Sequence, residues 1–374
     1  MVAADGLVGY EISEQISTAG DAYNLGMSTQ PGRLSRVVLA VIWLALGLAM
    51  VAVAGWVGWT RWTAVLNGHP ALLVAGIGCA LIGIVAIAWS IGTLILGDRQ
   101  DREGDPDHPA RRTPQQLRRR ATARILTAIP TLLVCFVLAA LVAYSRPYVA
   151  TPEATAALRT EQDVRVVERI GWYELLPTRE LANGETIKPT TALVFVPGAK
   201  VDSRAYAPLL RPLAKAGYLV AVLKEPFGLA LPGSDHAQKV LDVHPEIQNW
   251  TVAGHSLGGV AASSFVDDHP QVKGLALWAA YPAAKLNRTD LKVTSISGDL
   301  DGLTTPADVA KSRADLPAGT QYVVVPGAIH SFFGDYGLQP GDGQATADRV
   351  TSQAAITKAT QALVASTVPP PKKK

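Results

Sequence analysis

The sequence predicts two regimes in one chain: three apolar helices able to span a membrane, then an α/β domain whose mostly parallel sheet is covered by helices on both faces. Three observations predict this. Three stretches before position 145 run for 20 or more residues without a charge, later apolar residues fall into short runs of strand length, and those runs alternate with segments of amphipathic helical spacing. The 374 residues, 48% of them hydrophobic, suffice for a membrane region plus one globular domain of ordinary size.

Residues 1–36 read as a polar amino-terminal segment, with 1–32 and 98–122 flexible, and residues 37–144 as the membrane region, with spans at 37–59, 71–97 and 125–144. At ~1.5 Å rise per residue, each span crosses a hydrocarbon core of roughly 30 Å. Trp56, Trp59 and Trp62 cluster at the end of the first run and Tyr144 closes the third, where amphipathic rings sit at the headgroup level. Pro130 falls near the start of the third run, a position where a proline removes few internal hydrogen bonds. The first run is too long, and too far from the amino terminus, for a cleaved signal peptide.

Orientation follows from the arginines. The loop 98–124 carries Arg99, Arg102, Arg111, Arg112, Arg118, Arg119, Arg120 and Arg124, whereas the connection between the first two spans has only Arg61. Positive residues favour the cytoplasmic side, so this loop and the amino terminus, with Arg33 and Arg36, are expected inside. After three crossings the remainder lies outside, as part of a multi-pass plasma-membrane protein in contact with membrane lipids.

Charge and cysteine content exclude several classes. The formal net charge is only +3 and the basic residues form no stripe interleaved with aromatics, so no nucleic-acid partner is expected. Both cysteines, Cys79 and Cys135, lie in the apolar runs. The domain beyond residue 145 is therefore without disulfides, thiol catalysis or cysteine-ligated zinc.

Residues 145–163, beginning Ser145-Arg146-Pro147, are expected to be a juxtamembrane linker, residues 164–366 the folded domain, and residues 367–374 a solvated Pro/Lys tail able to touch anionic lipid. Continuous apolar runs at Ala192–Val196, Tyr218–Leu223, Trp250–Ala253, Gly274–Trp278, Val293–Ile296 and Tyr322–Val325 predict strands buried on both faces. Val164–Leu175 offers edge strands. Helical spacing appears over Ser203–Ala216, Ser256–Asp268, Pro306–Leu316 and Thr346–Val364.

Chemistry concentrates at Trp250-Thr251-Val252-Ala253-Gly254-His255-Ser256-Leu257-Gly258-Gly259, where a strand enters a G-x-S-x-G turn and a helix leaves. Gly254 and Gly258 relieve the crowding of so tight a turn, and the turn presents the Ser256 hydroxyl at the carboxyl edge of the sheet. An unassisted hydroxyl is a poor nucleophile, so an acid and a base should follow in the order Ser, Asp, His. Asp301 lies beyond the strand 293–296 and is followed by Gly302, with Asp299 as the alternative acid. His330 follows the last strand and is the only histidine after either acid. For the oxyanion, backbone N–H groups are expected from Leu257 and from Ala199 or Lys200, after the strand 192–196.

With these residues in place, the chain from about 192 to 362 resembles α/β-hydrolase fold family 5. The resemblance is carried by Pro197-Gly198-Ala199-Lys200-Val201-Asp202, Gly254-His255-Ser256-Leu257-Gly258-Gly259, Asp301-Gly302-Leu303, and His330 followed by Phe333-Gly334-Asp335-Tyr336-Gly337. It implies the α/β-hydrolase fold, a triad of Ser256, Asp301 and His330, and hydrolase activity without defining a substrate. An esterase- or lipase-like enzyme acting on a small-molecule or lipid-like acyl substrate is expected, with no cofactor and no metal. An acyltransferase, or a non-catalytic hydrolase-like binding domain, is the alternative. Gln339-Pro340-Gly341-Asp342-Gly343 belongs to the matching stretch and reads as structural, with a cation site at Asp335 and Asp342 as the other reading.

Overall fold

The computed structural model describes residues 31–102, 114–178, 188–231 and 233–368; the polar start of the chain, the middle of the arginine-rich loop and the lysine tail lie outside the described residues. Three long helices come first: α1 (Pro31–Asn67), α2 (Pro70–Arg102) and α3 (Pro114–Tyr144). Each begins on a proline, whose fixed φ and missing N–H suit a first helical position. Helix α1 outruns the expected span but kinks at Arg61, where φ is −133°, between Trp59 and Trp62. Within these helices, 34, 27 and 24 residues are long and apolar enough to cross a membrane, and no more than 22% of their most apolar windows is buried. Apolar surface so little covered by protein is stable only in apolar surroundings.

The described residues divide into two compact units, one holding residues 31–53 and 78–140, the other holding residues 54–77 and everything from Leu141 onward. In the first unit, Met50, Cys79 and Cys135 are buried, and Trp43 meets Trp89 edge-on at 6.5 Å between ring centroids.

The second unit is built on an eight-stranded sheet. Its strands are β1 (Val164–Glu168), β2 (Trp172–Pro177), β3 (Thr191–Val196), β4 (Leu219–Leu223), β5 (Asn249–His255), β6 (Val272–Trp278), β7 (Lys292–Gly298) and β8 (Gln321–Val325). Their spatial order is β1-β2-β4-β3-β5-β6-β7-β8. Strands β3 to β8 are parallel, whereas β2 runs antiparallel to β1 and β4. Successive side chains of a strand point to opposite faces. Leu193 and Phe195 accordingly join a core under α5 (Ala207–Lys215) and α9 (Arg349–Thr367), while Ala192, Val194 and Val196 join a core under α6 (His236–Val243) and α7 (Leu257–Asp268). A short helix, α8 (Pro306–Ser312), opens on a capping box formed by Thr305 and Asp308.

The stretch expected as a linker is built into this unit. Tyr148 N–H donates to Lys200 O at 2.7 Å and Asp202 N–H to Tyr148 O at 2.9 Å, which makes a parallel bridge to the segment after β3. A one-turn helix, α4 (Pro152–Ala156), is capped by Thr151 and buries Ala154. Thr151 N–H donates to Asp335 O at 2.9 Å, so the segment also touches the loop that carries His330. Helix α6 has no counterpart in the predicted elements, and the predicted helix 203–216 is split into a 3₁₀ turn over Ser203–Tyr206 followed by α5.

Candidate active site

Parallel strands place the loops after β3 to β8 at one edge, and that edge carries the predicted Ala199, Lys200, Ser256, Leu257, Asp301 and His330. Ser256 sits between β5 and α7 with φ +53° and ψ −125°, a backbone conformation that a residue with a Cβ rarely adopts. Its N–H is anchored to Trp278 O of β6 at 2.9 Å. The turn closes so tightly that a Cβ on Gly254 would fall 2.2 Å from Gly258 O, and one on Gly258 would fall 2.2 Å from Val196 O. Only hydrogen fits at either position, which is the physical content of the G-x-S-x-G spacing.

Asp301 and His330 are both buried and meet directly, with Asp301 Oδ2 2.9 Å from His330 Nδ1. The other oxygen, Oδ1, accepts the N–H groups of Leu303 at 2.8 Å and Thr304 at 2.7 Å, which fixes the carboxylate. Asp299, the alternative acid, instead accepts Gly327 N–H at 2.6 Å and ties the loop after β7 to the loop after β8.

Of the expected oxyanion donors, Leu257 is the first residue of α7, where the backbone N–H has no partner within its own helix. Lys200 N–H is already committed to Gly228 O at 2.6 Å, and Gly198 N–H to the Tyr206 hydroxyl at 2.9 Å. Ala199, between them, is left as the second candidate. The Lys200 ammonium lies over the rings of Tyr144 and Tyr148, at 4.5 and 5.7 Å from their centroids.

Two further groups hold the site together: Tyr206, which sequence reasoning did not single out, and Asp342, which it read as structural or as part of a cation site. The Tyr206 hydroxyl, besides accepting from Gly198, lies 2.9 Å from His255 Nδ1, and the His255 ring lies 4.6 Å from that of His330. Burial, then the nearby His330, holds the His255 imidazole well below the ordinary histidine value. The second group is Asp342, whose carboxylate accepts from His330 N–H at 3.0 Å and from Ser331 and Gly343 N–H at 2.8 Å each, with Gly302 N–H at 3.4 Å. Asp335 faces Arg349 Nη1 at 2.5 Å. Of the two carboxylates read as a cation pair in the sequence, Asp342 thus accepts from backbone N–H groups and Asp335 forms an ion pair with Arg349.

Residues 192–354 match the family model described as the alpha/beta hydrolase family. The domain has the α/β-hydrolase fold. Solved structures similar to it include a dienelactone hydrolase candidate from Klebsiella pneumoniae subsp. pneumoniae, with 17% identity, a TM-score of 0.39, and coverage of 52% of this chain and 92% of that one. A protein from Thermus thermophilus gives 13% identity and a TM-score of 0.40, covering 54% of this chain and 97% of that one. No protein of curated function matches the sequence. The family match supports a hydrolase, and the three apolar helices stand outside the matched residues.

Proposed function

We infer that this protein is a membrane-anchored serine hydrolase, esterase- or lipase-like, that works through an acyl-enzyme on Ser256. The observation that carries the reading is the buried 2.9 Å contact of Asp301 with His330, on the same sheet edge as a serine held at positive φ. Asp301 faces Nδ1, so the imidazole proton belongs on Nδ1 and the Nε2 lone pair is available as a base. In the proposed reaction, His330 Nε2 takes the Ser256 proton as Oγ attacks the acyl carbon, and it returns that proton to the leaving alcohol. Water, deprotonated by the same nitrogen, then releases the acid and restores Ser256. The N–H groups of Leu257 and Ala199 are the donors proposed for the oxyanion.

Anchoring is supported by the three apolar helices, and the placement of the hydrolase domain outside by the arginine distribution. The tip between α1 and α2 contacts the domain through His69, whose ring is parallel to that of His236 at 6.4 Å. A tip reached after one crossing and a domain reached after three belong on the same side, which agrees with this topology.

Labelling of the full-length protein by a fluorophosphonate tests the chemistry. The probe should bind wild type and not Ser256→Ala, and a folded wild type that stays unlabelled refutes the reading. Protease added to intact cells should reach a carboxyl-terminal tag, and a protected tag refutes the orientation.

A further inference from the structure

We propose that the carboxyl edge of the sheet lies against the bilayer surface and that the substrate is an ester-bearing amphiphile resident in that bilayer. The chemistry rests on the serine-hydrolase reading; the geometry does not.

The edge that carries Ser256, Asp301 and His330 is also the edge where the outer ends of the apolar helices attach. Lys200, next to Ala199, places its ammonium 4.5 Å from the ring of Tyr144, the last residue of α3. Tyr148, four residues on, pairs its backbone with the same loop, donating to Lys200 O at 2.7 Å. His69 packs on His236 at the start of α6, the helix that follows β4. Between this tip and the loop after β3 remains only a crevice of about 40 Å³, too small for an organic ligand, so the helix ends and the loop are packed on one another.

The headgroup level can be read from the same helix ends. Trp56, Trp59 and Trp62 are exposed at the outer part of α1, and the Arg146 guanidinium stacks on Trp56 at 4.5 Å. Exposed indole rings with a cation beside them are the side chains that favour the membrane–water interface. The loop offering Ala199 is joined to that layer by Lys200 and Tyr148.

The remaining loops of this edge carry an apolar rim. Ile170 is 78% exposed, Leu231 64%, Tyr281 42%, Leu303 38% and Leu338 77%. Leu231, Tyr281, Leu303 and Leu338 follow β4, β6, β7 and β8, and Ile170 lies in the β1–β2 turn beside the end of β4, where Trp172 pairs with Leu223. Apolar side chains on the loops of one edge, to which the ends of apolar helices also attach, are matched by a lipid surface. An amphiphile could present its carbonyl to Ser256 at the headgroup level while its chain stays in apolar surroundings.

The full-length protein in phosphatidylcholine vesicles tests both halves. In a Cys79→Ala, Cys135→Ala background, bimane attached at Leu338→Cys should be quenched by brominated phosphatidylcholine, whereas bimane at Ala318→Cys, on the exposed loop before β8 at the opposite edge, should not. An unquenched probe at 338, or equal quenching at both positions, overturns the geometry whether or not the protein turns over any ester. Leu231→Asp with Leu338→Asp should slow hydrolysis of vesicle-embedded nitrophenyl palmitate about tenfold and leave that of water-soluble nitrophenyl acetate unchanged. Equal effects on the two esters, or none on the palmitate, overturn the amphiphile substrate. Failure of wild type to take a fluorophosphonate label overturns the serine-hydrolase reading instead and leaves the quenching result standing.

Discussion

Removing the Asp342 carboxylate should loosen the loop that carries His330 and thereby cost both stability and rate. Asp342 is the common acceptor for His330, Ser331 and Gly343 N–H, at 3.0, 2.8 and 2.8 Å, and it reaches Gly302 N–H at 3.4 Å in the neighbouring acid loop. A hydrogen bond to a charged group contributes roughly 1.5–3 kcal/mol. Three such bonds on a half-buried carboxylate do not add fully, because water can reach part of the group, so Asp342→Ala should destabilise the domain by about 3 kcal/mol. For a domain of this size that is a fall in Tm of roughly 6–12 °C. A shift of the His330 backbone by an ångström should lower kcat for ester hydrolysis about a hundredfold while KM changes little. Burial alone would raise the Asp342 carboxyl, but the donated N–H groups of Ser331, Gly343 and His330 outweigh it and hold the group below the ordinary carboxylate value. Its folded pKa is depressed, so its contribution is present above the unfolded value of about 3.9 and is lost as pH falls through the folded one. The Tm gap between wild type and Asp342→Ala should therefore narrow below about pH 4. If Asp342→Ala keeps the wild-type Tm and kcat at pH 7, the carboxylate does not hold the histidine loop.

Three further outcomes are expected. Glu174, a buried residue of β2, accepts from Arg169 Nε at 2.8 Å, Trp172 Nε1 at 2.7 Å and His244 Nε2 at 3.2 Å; burial opposes its ionisation, yet these donors bring it down to about 2. Glu174→Gln should lose about 3 kcal/mol at pH 7 and be less sensitive to acid between about pH 4.3 and 2, as urea midpoints across that range would show. Gly258→Ala, whose Cβ would lie 2.2 Å from Val196 O and 2.4 Å from Pro197 O, should fail to give folded protein by circular dichroism. Ser256→Gly should raise Tm in detergent, since it releases about 1–2 kcal/mol of backbone strain at φ +53°; an unchanged or lower Tm refutes the strain.

The parallel strands were legible because each is buried on both faces and so reads as an unbroken apolar run. The prediction of 250–253 falls inside the observed Asn249–His255 for that reason. Helix α6 was not legible, since it buries only Ala237, Val240 and Leu241 and its remaining residues carry no apolar period. Nor was the docking of 145–163, which is made largely by backbone hydrogen bonds that no side-chain pattern announces. Of the candidate site, Ser256, Asp301 and His330 could be singled out from chain order, because each follows a strand end. The roles of Asp342 and Tyr206 could not: Asp342 could be read only as part of a structural stretch or a cation site, and the contacts Asp342–Gly302 and Tyr206–His255 join residues 40 and 49 apart, which only the fold brings together.

The Tyr206 contacts explain why a histidine can stand beside the proposed nucleophile without disturbing the proposed base. The hydroxyl accepts from Gly198 N–H, so its one proton is directed to His255 Nδ1, and the imidazole then carries its own proton on Nε2. Burial raises the Tyr206 phenol well above its ordinary value, and the pair stays neutral. A charged His255, 4.6 Å from the His330 ring, would oppose an imidazolium at the proposed base by about 3.6 kcal/mol at an effective dielectric of about 20. A neutral, desolvated His255 avoids the penalty. It leaves the Asp301 carboxylate as the charge in direct contact with the proposed base, while one phenol joins the loop after β3 to the nucleophile turn.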